Sequence, residues 1–203
     1  MSIAIADWSF LAIVITILLT PGPTNTLLAT AGGAGGWRSS ASLVPLECLG
    51  YLVATSLWGL LLRELLADYP VVLHLVKLVS AAYIAKLAVD LLREAGQPSA
   101  ARAKPGIGGR QLFLATLLNP KAAIFAMVIF PVQTWLSTAN YSQVMGCFIA
   151  SVAIIGSLWI GFGAALVGGR LRWLSPARFM RLSAVLLLGF AAWLACNALF
   201  SQA

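Results

Sequence analysis

Charge is scarce in this chain. Only 9% of its 203 residues are Asp, Glu, Lys or Arg, and it has a single histidine. A soluble domain carries about a quarter of its residues as charged groups, so a water-soluble fold of this composition could not cover its own surface. A Walker phosphate-binding loop, a nucleophile motif and any His/Cys/acid grouping at metal-ligand spacing are also missing. That argues against ATP-driven transport and hydrolysis, and leaves no metal or other cofactor expected. The three cysteines, Cys48, Cys147 and Cys196, lie inside apolar runs, so they imply no loop disulfide and say nothing of compartment.

What is present is apolar. Hydrophobic residues make up 61% of the chain, the mean hydropathy is +0.94, and seven tryptophans and 18 glycines accompany them. These values describe an integral membrane protein, and the apolar runs have the length of helices, too long for barrel strands. The net charge of +7 would suggest nucleic acid in a soluble chain. Here the basic residues fall into loops, where they set orientation, and no nucleic-acid partner is expected. The segment before the first run carries Asp7 and no Lys or Arg, which is unlike the basic start of a signal peptide.

Six apolar runs follow one another, at about 8–36, 42–62, 71–92, 111–136, 144–167 and 182–200. The first contains Thr20-Pro21-Gly22-Pro23-Thr24-Asn25 and the fourth contains Leu118-Asn119-Pro120-Lys121. Proline removes an amide donor and blocks helical φ/ψ before it, so each stretch breaks its helix. Carbonyls freed at membrane depth must face protein or a wet cavity, which makes each break a candidate site. Gly32 and Gly36 have the spacing of a close helix contact or, equally, of a glycine-rich turn at the membrane surface.

The only long polar stretch, 93–110, joins two halves. The expected organisation is a first three-helix repeat over 1–95, a cytoplasmic linker over 96–110 and a second three-helix repeat over 111–203. Pro21 matches Pro120 at an offset of 99, Ser56-Leu57-Trp58 matches Ser157-Leu158-Trp159 at 101, and Ser80-Ala81 matches Ser183-Ala184 at 103. Three crossings per repeat would make the second copy inverted, the arrangement of many secondary transporters. Chance similarity between two Leu/Ala/Gly-rich strings is the competing explanation. Arg38 and the loops at 93–110 and 170–181 are basic, whereas the opposite ends together hold one Arg. The positive-inside rule therefore puts both termini outside the cytoplasm.

These residues carry a family resemblance. Leu19-Thr20-Pro21-Gly22-Pro23, Ala82-Tyr83-Ile84, Leu118-Asn119-Pro120-Lys121-Ala122-Ala123 and Phe130-Pro131 make the chain similar to the LysE/RhtB family of amino-acid exporters over nearly its whole length. In that family's pattern Asn directly follows Pro-Gly-Pro, whereas here Thr24 intervenes before Asn25. The resemblance implies export of an amino acid or related small metabolite across the bacterial inner membrane, driven by the proton-motive force, with both termini periplasmic. The fold expected is all-α and polytopic, with six transmembrane helices as two inverted repeats and the first and fourth broken.

Candidate substrate-binding residues are Pro21, Gly22, Pro23, Asn25, Asn119, Pro120 and Lys121. Helix amino ends and Lys121 would meet a carboxylate, while carbonyls released by the prolines would meet an ammonium. Lys121 could instead snorkel or cap those carbonyls. Glu47, Lys86 and Asp90 are candidate proton-coupling residues, because an intramembrane charge survives only with a partner or water. Glu47 and Lys86 are symmetric about position 66.5, inside the turn at 63–70, so two antiparallel neighbours would bring them together as a switch or as a static pair. Asp90, one helical turn from Lys86, competes for it. Two other classes are carried: a membrane thiol carrier built on Cys48 and Cys147, which are also 99 apart, and a scaffold that moves nothing. A homodimer through Gly161, Gly163, Gly168 and Gly169 is compatible with the sequence, although such glycines equally pack internal helices. Lipid, protons and a small zwitterion are the remaining expected partners.

Overall fold

The computed structural model describes residues 8–62, 71–96, 107–167 and 175–200, and all regular structure among them is helical. In chain order the α-helices are α1 Trp8–Leu19, α2 Pro23–Ser40, α3 Leu43–Ser56, α4 Val71–Gly96, α5 Gly109–Leu117, α6 Pro120–Ile124, α7 Thr138–Ala165 and α8 Pro176–Phe200. π-helical turns extend α3 to Leu62 and α6 to Ile129.

Both proline-containing stretches interrupt their helices. Phe10–Leu19 and Pro23–Ser40 meet at 59°, and Gly109–Leu117 and Pro120–Ile129 meet at 41°. Among the described residues three segments, Leu43–Leu60, Thr138–Ala165 and Ala177–Leu199, are long and apolar enough to cross a membrane, and the count there reaches five when each bent pair is one span. The third expected crossing, α4, is a helix of 26 residues, Val71–Gly96, that carries Lys77, Lys86, Asp90 and Arg93. Exposed Ile154, Leu158, Val185 and Leu186 are the kind of apolar outer surface that a bilayer solvates.

Other boundaries differ from the sequence expectation for identifiable reasons. The Ser137 hydroxyl accepts the Asn140 amide at 3.2 Å and starts α7 six residues before the apolar run. Arg178 and Arg181 belong to α8, not to the preceding loop. Pro131 interrupts the fourth run, since Phe130 is already extended at ψ 133, and a single 3-10 turn over Val132–Trp135 follows. The turn at 63–70 and most of both basic loops lie outside the described residues.

Helices pack largely across the chain. The most extensive pairs are α4 with α8 and α2 with α7, followed by α3 with α5. Close approach by glycine selects two of these. A Cβ on Gly32 would strike the Ile160 carbonyl, one on Gly163 would strike the Ala29 carbonyl, and one on Gly50 would lie 2.7 Å from Thr116 Cβ. Gly32 and Gly36 thus part company: Gly32 sits in the α2–α7 contact, while Gly36 has φ 77 and kinks α2 in open space. Gly163 is buried in this same contact, and a Cβ on Gly161 would touch Trp37 at 3.7 Å. These two glycines pack the chain against itself, which is the alternative use expected for them, and Gly168 and Gly169 lie outside the described residues.

Two apolar clusters form the interior. One gathers Leu27, Leu28, Ile84, Leu112, Met180 and Leu187. The other gathers Val14, Leu18, Tyr51, Phe125, Phe130 and Phe148. In the second, Tyr51 and Phe125 stand against Phe148 at 5.6 and 4.7 Å between ring centroids. Those aromatic contacts fix the Tyr51 ring and aim its hydroxyl at the second break.

Candidate functional site

The first break poses an accounting problem. In a continuous helix Ile17 O would pair with the residue 21 amide and Thr20 O with that of residue 24, but Pro21 has no amide and the chain turns away. Side chains replace those donors. Asn25 Nδ2 donates to Leu18 O at 2.6 Å and to Thr20 O at 2.9 Å. Lys121 Nζ, from the other half of the chain, donates to Ile17 O at 3.0 Å and Thr20 O at 2.6 Å. Lysine capping of released carbonyls, one of the two readings of Lys121, is therefore realised.

The second break is capped from within. Asn119 is extended (φ −78, ψ 120), Pro120 follows at the first helical position, and Asn119 Oδ1 accepts the Lys121 amide at 3.0 Å. Asn119 Nδ2 donates to Tyr51 Oη at 3.1 Å and to Thr24 Oγ1 at 3.4 Å. Gly22 makes room for the lysine. A Cβ there would lie 3.1 Å from Lys121 Cε and 3.2 Å from Nζ, tighter than ordinary contact. The glycine's backbone is extended (φ −170), so it is close approach, and not conformation, that calls for glycine.

Glu47 joins this centre, and here the sequence expectation is corrected. Its residue is only 2% exposed, and the Thr24 side chain and the Lys121 cation are the groups that act on its carboxyl. Oε2 has no hydrogen-bond partner and rests where a Cβ on Gly156 would be. Lys86 is elsewhere, at 2.6 Å from Asp90 Oδ2 with a side chain 65% exposed. The expected Glu47–Lys86 contact assumed that α3 and α4 pack as a hairpin. Instead α3 packs on α5 and α7, and α4 on α8. The three candidate coupling residues thus separate into a buried acid at the breaks and a surface pair on α4.

A cavity of about 540 Å3 opens beside the breaks. Of the candidate substrate residues, Pro21, Asn119, Pro120 and Lys121 line it, whereas Gly22, Pro23 and Asn25 are buried in the wall behind. Its other walls come from α3, α4 and α8, through Trp58, Lys77, Ser80, Phe190, Trp193 and Asn197. Sequence reasoning missed Thr24, Tyr51 and the α4–α8 wall. Thr24 carried a signal, because it is the residue that departs from the family pattern. Lys77 carried another, as a lysine within an apolar run. Cys48, Cys147 and Cys196 are free thiols, and Cys48 Sγ lies 3.9 Å from the Ile149 carbonyl.

Two broken apolar helices that meet at a buried lysine beside a cavity form the interior of a membrane translocator. The chain belongs to the LysE family: the model described as LysE type translocator matches residues 15–198. It is 30% identical over 152 residues, 75% of each chain, to the cysteine/O-acetylserine efflux protein of Salmonella typhimurium strain LT2. Identity to the protein of the same name from Escherichia coli strain K12 is 26% over the same length and coverage. No solved structure is a significant match.

Proposed function

We propose that this protein is a secondary exporter that carries an amino acid or related small zwitterion out across the inner membrane in exchange for protons. The observation that carries this reading is the Lys121 ammonium, which spans from the second break to the first and faces the cavity. An ammonium has three N–H donors. Two are spent on Ile17 and Thr20 carbonyls, and the third is left for a substrate carboxylate. A carboxylate arriving there would compete with those carbonyls, so binding loosens the cap that holds the first break. This links occupancy to the conformation of the broken helices.

Glu47 is the proposed coupling group. When ionised it accepts from Thr24, whose oxygen then accepts from Asn119 in the cavity wall. When protonated it can donate to Thr24 instead, which fills the second acceptor site of that oxygen beside Asn119 Nδ2 and turns the Thr24 hydroxyl hydrogen elsewhere. The carboxyl is thereby coupled to the cavity through one hydroxyl, while staying behind the wall. Lys86 and Asp90 have no part in this scheme.

The remaining elements of the reading are six crossings in two inverted three-helix repeats, 1–95 and 111–203 with the linker at 96–110, and both termini outside. Helix pairing favours it, since the first broken helix (α1 and α2) packs on α7 and the second (α5 and α6) on α3, pairs that exchange under a swap of the halves, while α4 with α8 maps onto itself. In that frame the cavity lies in the outer half of the membrane. On the inner side Thr30 Oγ1 donates to Ser183 Oγ at 2.8 Å and both residues are buried, whereas Ser80, the partner of Ser183 in the repeat, lines the open cavity. Purified protein in vesicles with an imposed pH gradient tests the reading. Labelled amino acid should leave faster than from protein-free vesicles, and faster still when protons can enter in exchange. Equal rates with and without protein would reject it.

A further inference from the structure

Lys121 is not the cavity's only cation. Lys77 lines the same space from α4, and its Nζ donates to Asn197 Oδ1 of α8 at 2.8 Å. A lysine in an apolar helix is expensive to retain beside a neutral partner alone, and an intramembrane charge facing a cavity marks a solute path. Among the described residues, no Asp or Glu lines the cavity. Trp58, Phe190 and Trp193 supply aromatic faces between the polar groups.

We infer that Lys77, held by Asn197, is a second anion subsite, and that the cavity selects a dicarboxylic amino acid over a basic one. The inference rests on the exporter reading and narrows its substrate class. Counting groups supports the match. Lys77 and Lys121 are two cations on one cavity, and a dicarboxylic amino acid brings one carboxylate to each. One carboxylate takes the third donor of Lys121. The other takes the two N–H groups of Lys77 that Asn197 leaves over. The ammonium then lies against the aromatic faces, where a cation is attracted by the ring quadrupole. A basic amino acid would instead place a second ammonium among two lysines, with no carboxylate among the described wall residues to receive it.

The test uses purified full-length protein in vesicles loaded with labelled L-glutamate, L-leucine or L-lysine. Glutamate efflux is expected to exceed lysine efflux by about tenfold or more, the scale of one charge-assisted hydrogen bond. Lys77→Gln should raise the KM for glutamate by about tenfold for the same reason, with a smaller change in maximal rate, and Lys77→Arg should restore it. Thermal denaturation covers the case in which Lys77→Gln does not fold: glutamate should raise the melting temperature of the unaltered protein, and lysine should not. An unchanged KM in Lys77→Gln, lysine leaving as fast as glutamate, or no stabilisation by glutamate overturns the inference. If leucine is exported and glutamate is not, the inference falls and the exporter reading stands. If no label leaves, both fall.

Discussion

The two breaks use the same residue, proline, but are not built alike. At the second break the chain caps itself: Asn119 accepts the amide of Lys121 two residues on, and Pro120 stands in the first turn, where a missing amide costs no intrahelical bond. At the first, sharper break the carbonyls of Ile17, Leu18 and Thr20 are served by Asn25 and by Lys121, which is 101 residues away from Thr20. One break is local and the other depends on the opposite half of the molecule. A single lysine therefore ties the conformation of both broken helices to the cavity contents, which a pair of self-sufficient breaks could not do.

The largest test of this asymmetry is Lys121→Ala. It removes two charge-assisted bonds from the first break together with the carboxylate donor, and efflux at normal protein level should fall by about a hundredfold or more. The second break, capped by Asn119 through the backbone amide, should keep its bend. Next comes Glu47→Gln, which retains shape and hydrogen bonding but cannot ionise. Efflux should stop responding to an imposed pH gradient, while down-gradient movement of labelled amino acid persists; an unchanged pH response would free Glu47 from coupling. Gly22→Ala should cost about 1–3 kcal/mol of stability, the scale of an overpacked site, read as a lower melting temperature. The smallest effect belongs to Lys86→Gln. An exposed i,i+4 pair is worth under about 1 kcal/mol, and export should be close to that of the unaltered protein.

Both breaks were legible in the sequence, because proline acts on its own backbone whatever surrounds it. So was Lys121, since a cation beside a proline break has few other uses at membrane depth. The Glu47–Lys86 contact was not, for it rested on packing consecutive helices together. What decides the neighbours is how closely the backbones can approach. Gly32 and Gly163 fit α2 to α7, and Gly50 fits α3 to α5. A sequence shows that a glycine permits approach without showing which helix approaches. Thr24 illustrates a second kind of miss. Read along the chain it displaces the expected asparagine, yet in space it stands between Glu47 and Asn119, a role visible only once α2, α3 and the second break are assembled.

Contact between the two breaks is the claim on which export rests, and cross-linking tests it most directly. With Cys48, Cys147 and Cys196 replaced by alanine, Gly22→Cys and Lys121→Cys are introduced together and treated with a short thiol-specific bifunctional reagent. The account predicts an intramolecular cross-link that neither single cysteine gives. Two cysteines that label fully with a monofunctional reagent and yet never bridge would contradict it.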